Sequence, residues 1–151
     1  MPLLDVTYPQ GALSEDARER LADELTPALL RAERAPDTEF FRSITWLYLH
    51  ELPVHAVRRA GRPADLPTFK VEATTPEGAL SDRRRKEFVA DATRAVREAA
   101  GIAEEDALRV WVLCHEVAEG SWGAAGQVVE FAALRAAAAQ ERERAQEPAS
   151  A

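Results

Sequence analysis

The chain has 151 residues, of which 46% are hydrophobic and 30% are charged, and its formal net charge is −7. This length and apolar content suit one ordinary domain with a buried core. The acidic balance argues against a nucleic-acid-binding protein, which would carry a basic face, and against attachment to an anionic membrane surface.

Features that the sequence lacks also limit the kind of protein it can be. The single cysteine, Cys114, cannot form an intramolecular disulfide, which fits a reducing compartment. No apolar run approaches the roughly 20 residues that span a bilayer, and the beginning of the chain does not resemble a signal peptide. We therefore expect a cytoplasmic protein. His50, His55 and His115 lack the spacing of metal ligands, so no metal site is expected.

An internal duplication is the most informative pattern. Residues 9–14 read PQGALS and residues 76–81 read PEGALS, an offset of 67 (76 − 9). The motifs WLYLHEL (46–52) and VWVLCHEV (110–117) follow in the same order. The shared order indicates two copies of one unit. The predicted divisions are a first repeat at 2–52, a Pro-containing linker at 53–67 and a second repeat at 68–135.

Each copy is predicted to fold as β-α-β. Residues 2–8 and 69–74 alternate as strands do, which places Pro2, Leu4 and Val6 on one face. A glycine turn follows, and then Ser14 or Ser81 as the N-cap of a helix with an apolar stripe. The second strands are predicted at roughly 43–50 and 108–115.

Two such units predict an α+β fold in which a four-stranded sheet carries both helices on one face. The other face then presents Trp46 and Trp111, and we expect an oligomer to cover it. A Gly-rich turn at 119–126 and a short strand or helix at 127–135 complete a single domain at 1–135. Residues 136–151 are predicted to be a frayed helix and a disordered tail.

These residues resemble the tautomerase superfamily. The start PLLDVTYPQGALS is similar to the family's opening, in which a proline leads a strand into a Gly turn and a capped helix. The segment RVWVLCHEVAEGSWGAAG resembles the strand and hairpin of 4-oxalocrotonate tautomerase. The fused length resembles the malonate semialdehyde decarboxylase and cis-3-chloroacrylic acid dehalogenase branches. The resemblance implies a homotrimer and a catalytic Pro2 exposed by removal of Met1.

The chemistry of Pro2 also has an independent basis. An α-amino group titrates near ~8, far below lysine, and burial beside cations lowers that value further. A neutral amine of this kind accepts a proton from a carbon next to a carbonyl. The alternative interpretation is that Pro2 merely begins an edge strand.

The family's substrate-binding arginines are missing at the matching positions, where Ala12, Ala79, Trp46 and Trp111 stand. Other residues are therefore candidates for binding the substrate: Arg42, Arg109, Tyr48, Glu39 and Trp122. Arg42 and Arg109 are candidates for the substrate carboxylate, or else surface arginines. Glu39 and Tyr48 resemble an acid and a strand tyrosine of the related branches, or else are a solvated charge and a packing residue. Trp122 occupies the aromatic position of the family's hairpin.

The predicted function is keto–enol or double-bond isomerisation of a small 2-oxo or 2-hydroxy acid, with Pro2 as base and without a cofactor. One alternative is a hydratase or dehalogenase acting on an unsaturated acid, with protonated Pro2 as acid. The other is a non-catalytic trimeric binding protein that kept the fold. The run Arg83-Arg84-Arg85-Lys86 is interpreted as a solvated helix face.

Overall fold

A computed structural model describes residues 2–146, with side chains described to residue 144. The first copy consists of β1 (Leu3–Pro9), α1 (Glu15–Glu33), the short helix α2 (Glu39–Ser43) and β2 (Trp46–Leu52). The linker contains a hairpin of β3 (Arg58–Arg59) and β4 (Arg62–Pro63). The second copy consists of β5 (Phe69–Pro76), α3 (Asp82–Ala100) and β6 (Val110–Val117). The chain continues through a hairpin of β7 (Gly123–Ala124) and β8 (Gln127–Val128) into α4 (Phe131–Gln146).

The four long strands form one mixed sheet in the order β2-β1-β5-β6. Each β-α-β unit pairs its own strands in parallel, whereas β1 and β5 run antiparallel where the units meet. Helices α1 and α3 contact each other over one face of the sheet. Leu4, Val6, Val71 and Ala73 are fully buried beneath them. The predicted fold class is therefore confirmed.

The repeated sequence motif has the same structural role in both units. The carboxylate of Glu51 accepts a hydrogen bond from the backbone N–H of Gly11 at 3.1 Å, and Glu116 accepts one from Gly78 at 3.3 Å. Both glycines have a positive φ, 80° and 74°, which favours glycine at the turn after the first strand. The motif thus fastens the end of each second strand to the turn that precedes the helix.

The sheet face opposite the helices, which we call the open face, bears Trp46, Tyr48, His50, Trp111, Leu113 and His115. Trp46 is 60% exposed and Trp111 is 67% exposed, as the alternation of the strands predicts. The two histidines pair with carboxylates of the neighbouring strands, His50 with Asp5 at 2.6 Å and His115 with Glu72 at 3.3 Å.

The second strands begin two or three residues later than predicted. Residues 39–43 form α2, because the hydroxyl of Thr38 accepts from the N–H of Phe41 and caps it. A 3₁₀ helix at Glu104–Arg109 delays the other strand in the same way. Short local elements at these positions carry no periodicity that a sequence pattern would reveal.

Helix α4 extends to Gln146, so it includes most of the segment 136–151 that is predicted to be a frayed helix and a disordered tail. Its first residue, Phe131, is 2% exposed, and its N–H donates to the carboxylate of Glu119 at 3.0 Å. Arg142 donates to the backbone carbonyl of Arg34 at 2.6 Å. The alanine-rich sequence favours a helix, and these contacts hold it against the first unit. Residues 147–151 lie outside the described part, and no helix within that part is long and apolar enough to cross a membrane.

Candidate active site

Pro2 is buried at the start of β1, where its carbonyl accepts a hydrogen bond from the N–H of Trp46 at 3.3 Å. Because β1 and β5 are antiparallel, the start of β1 lies beside the end of β5 and the turn that follows it. Pro2 lines a cavity of about 210 Å³ at this junction, which we call the Pro2 cavity.

Five elements contribute walls to the Pro2 cavity. They are the end of α1, helix α2, the turn after β5, the first turn of α3 and one side of α4. Most of the walls that these elements supply are apolar, and the charged groups among them are Glu33, Glu77, Arg84 and Arg135. A cavity with an apolar body and a few ionic groups is the usual form of a small-molecule binding site.

Glu33 is the most unusual of these groups. Its residue is only partly buried, but its Oε1 atom is shielded from solvent and lacks a hydrogen-bond partner within the described residues. Burial raises the pKa of this carboxyl from 4.5 to about 7, against the opposing effect of nearby positive charges that include Arg84. The group therefore exchanges its proton near neutral pH, which is a property that acid–base catalysis requires.

Arg84 supplies the Pro2 cavity with a positive charge that the turns after β1 and β5 do not provide. Its Nη1 donates to the carbonyl of Ala32 at 2.9 Å, and its Nε lies 3.1 Å from the hydroxyl of Ser81. These contacts orient the guanidinium from both sides, so little entropy is lost when it binds a further anion. Ala79, in the turn after β5, lines the same cavity. Arg84 thus brings a guanidinium to the wall of which Ala79 is also a part.

Two predicted site residues on or near α2 lie outside the Pro2 cavity. Arg42 donates twice to Asp37, from Nε at 2.5 Å and from Nη2 at 2.9 Å, and this hydrogen bonding lowers the pKa of the Asp37 carboxyl. Glu39 is exposed in the first turn of α2. Only Phe41, which lies between them in the sequence, reaches the cavity wall.

The other three predicted residues also lie elsewhere in the chain. Arg109 donates to the carbonyl of Pro67 at 2.9 Å, next to the opposite end of β5. Tyr48 is 48% exposed on the open face. The carbonyl of Trp122 accepts from Val129 at 2.8 Å across the β7–β8 hairpin. Of the six predicted residues, Pro2 is therefore the only one that lines the Pro2 cavity within the described chain.

Glu33 and Arg84 were missed, although helix periodicity contained a signal for both. Glu33 follows Leu29 by four residues and so continues the apolar stripe of α1. Arg84 precedes the buried Phe88 by four residues and so begins the stripe of α3. Of residues 83–86, which are predicted to form a solvated face, Arg83 and Lys86 are exposed, whereas Arg84 and Arg85 are half-buried.

Comparisons with known proteins agree with this architecture. The family model described as "Tautomerase enzyme" matches residues 70–132, which is the second unit. No curated protein matches the sequence.

Solved structures with a similar fold include three that cover most of this chain. The R7 fused 4-OT, described as an asymmetric trimer, has a TM-score of 0.70 at 23% identity and covers 88% of this chain and 98% of its own. A structure of Pt0534 inactivated by 2-oxo-3-pentynoate has a TM-score of 0.71 at 22% identity, covering 86% and 98%. N1, a member of the cis-3-chloroacrylic acid dehalogenase family, has a TM-score of 0.69 at 20% identity, covering 97% and 92%.

Proposed function

We propose that this chain is a fused, two-unit member of the tautomerase superfamily and that it isomerises small 2-oxo or 2-hydroxy acids, since its second unit matches the tautomerase family model. The amine of Pro2, freed by removal of Met1, is the catalytic base. One observation supports this most strongly: Pro2 lines a small cavity together with a buried acid, Glu33, and an oriented arginine, Arg84.

The proposed reaction uses these three groups in sequence. Arg84 binds the substrate carboxylate or the oxygen that becomes negative in the enol, which stabilises the charge as it develops. The neutral amine of Pro2 removes a proton from the carbon next to the carbonyl and returns it to another carbon. Glu33, in its protonated form, donates a hydrogen bond within the cavity. Every proton that is removed is returned, so no cofactor is needed.

Glu33 also favours a second candidate function. When its carboxyl is ionised, it favours the protonated form of the Pro2 amine. A protonated Pro2 would act as an acid, as the addition of water to an unsaturated acid or a 3-haloacrylate requires. The similarity to N1 supports including this hydratase or dehalogenase chemistry in the test.

The test is a substrate screen across pH. Phenylpyruvate and 2-hydroxymuconate are followed by ultraviolet absorbance, and 3-haloacrylates by halide release. For the tautomerase we expect kcat/KM to rise with pH as the Pro2 amine loses its proton, and selective blocking of that amine should abolish turnover. Activity that falls with pH, together with halide release, supports the second candidate. No turnover on any substrate would contradict both and favour the non-catalytic binding protein.

We propose further that the protein is a homotrimer assembled through the open face. Trp46, Tyr48 and Trp111 are about half exposed or more in the single chain, and several large apolar side chains on one sheet face are rarely left in water. The similar fused 4-OT is described as a trimer. In such an assembly, Tyr48 would contact a neighbouring subunit.

A further inference from the structure

A second, larger cavity lies at the other end of the central strand pair. It has a volume of about 620 Å³ and is formed by the end of β1, the start of β5, the β3–β4 hairpin and the residues around Arg109. The offset of 67 relates Pro2 to Phe69, which lines this cavity. Because β1 and β5 are antiparallel, the duplication places one cavity at each end of the pair. We call the larger one the Phe69 cavity.

The chemistry of the Phe69 cavity differs from that of the Pro2 cavity. The nitrogen of Phe69 is in a peptide bond, so it has no free amine to act as a base. The same offset replaces Glu33 by Ala100. The charged residues that line it are all cationic: Arg58, Arg59, Lys70 and Arg109.

The cations of the Phe69 cavity are held on defined elements. Arg109 has a side chain only 15% exposed. Its Nε donates to the carbonyl of Pro67 at 2.9 Å, and its Nη1 lies 3.7 Å from the carboxylate of Asp106, so the guanidinium is held in place. Arg58 and Arg59 lie on a hairpin whose turn, Ala60-Gly61, has positive φ at both residues, as a tight two-residue turn requires. The arginines of the hairpin and Arg109 thus border one space.

Aromatic side chains provide an apolar surface in the same cavity. Tyr8 and Phe69 are buried and stack with their ring centroids 6.2 Å apart, and Trp111 is 67% exposed at the rim. A ligand that suits both features has a negative charge at one end and a flat apolar body.

We propose that the Phe69 cavity is a binding site for a small aromatic carboxylate, which it holds without converting it. The carboxylate pairs with Arg109 and the hairpin arginines, and the ring packs against Tyr8 and Phe69. The cationic lining increases the local concentration of anions around a protein whose net charge is −7. This site does not depend on the chemistry proposed at Pro2.

Isothermal titration calorimetry with cinnamate tests this proposal, with the neutral cinnamyl alcohol as the control ligand. We expect saturable binding of cinnamate only. The paired substitutions Arg58→Glu and Arg59→Glu lie on an exposed hairpin that is separate from the four-stranded sheet, and they should weaken binding by about tenfold or more. Arg109→Ala should have a similar effect, and Arg84→Ala in the Pro2 cavity should have none.

The opposite results would overturn the proposal. If cinnamate does not bind, or if the hairpin substitutions leave its affinity unchanged, the Phe69 cavity is not an anion site. If Arg84→Ala removes the binding and the hairpin substitutions do not, the ligand occupies the Pro2 cavity alone.

Discussion

At the scale of single residues, the buried carboxyl of Glu33 has consequences for stability as well as for catalysis. An acid whose pKa rises from 4.5 in the unfolded chain to about 7 in the fold binds more protons when folded. Its contribution to the free energy of unfolding is therefore present below pH 4.5 and is lost as pH rises through about 7. The ionised carboxylate destabilises the folded protein at alkaline pH, because one of its oxygens lacks a hydrogen-bond partner in the described chain.

Replacing the Glu33 carboxyl by an amide should remove its contribution to the pH dependence of the free energy of unfolding. Glu33→Gln should stabilise the protein at pH 8 by up to about 3 kcal/mol and change little at pH 4.5, since only the ionised form is penalised. Urea denaturation of both proteins at the two pH values measures the effect. Glu39→Gln, at an exposed position of α2, is the matched control and should be neutral. Equal pH dependence in the wild-type and Glu33→Gln proteins would contradict this interpretation.

Arg84 offers a direct test of substrate binding. Arg84→Ala should lower kcat/KM on the best substrate by roughly tenfold to a hundredfold, because a charge-assisted hydrogen bond is lost. Arg83→Ala is the control, since that neighbouring side chain is 75% exposed. Steady-state kinetics at constant pH separates the two. Equal losses in the two variants would remove Arg84 from the site.

The sequence led us to propose Pro2 but not the residues that line the cavity with it, and the reason is physical. A proline that becomes the first residue can be recognised from its position alone. The roles of Glu33 and Arg84 depend on how α1, α3 and α4 meet in space. Arg42 was a chemically reasonable choice, but Asp37, five residues earlier, already holds its guanidinium. Local ion pairs of this kind are hard to foresee from composition.

At the scale of elements, the duplication made the sheet predictable. One copy established the order of strand, turn, helix and strand, and the second copy repeated it with the same glutamate–glycine contact. The short elements were not predicted, because α2, β3 and β4 span five residues or fewer. The length of helix α4 was underestimated because its many alanines give a weak amphipathic pattern, although alanine is the strongest helix former.

Helix α4 closes the Pro2 cavity, so it should affect both stability and activity. Phe131→Ala should lower the free energy of unfolding by about 3–5 kcal/mol, since it removes a ring that is 2% exposed. It should also lower kcat/KM by opening the cavity to water. Ala132→Ser, at an exposed position of the same turn, is the control. Denaturation and kinetics that leave Phe131→Ala like the wild type would show that α4 is not part of the site.

At the scale of the whole molecule, the duplication gives two ends with different chemistry. The end at Pro2 combines an acid and an arginine in a small cavity, whereas the end at Phe69 is larger and lined by cations. One copy thus provides the amine, and the other provides the turn and the helix that face it. The two copies are similar in backbone but not interchangeable in function.

The open face should determine the assembly. Trp46→Glu places a charge at the centre of the proposed subunit contact and should convert trimers to monomers at micromolar concentration. Leu66→Glu changes an equally apolar residue, 49% exposed in the linker, and should leave the trimer intact. Light scattering measures both. A wild-type protein that is monomeric at this concentration would refute the trimer.

The most direct test of the central claim is mass spectrometry of the protein before and after incubation with 2-oxo-3-pentynoate. The neutral amine of Pro2 should add to the triple bond, forming one N–C bond while its proton moves to carbon. We expect the untreated chain to begin at Pro2, and the treated chain to gain the mass of one inhibitor on its N-terminal peptide and to lose its activity. Retention of Met1, or labelling at another residue with Pro2 unmodified, would contradict the role of Pro2 as the catalytic base.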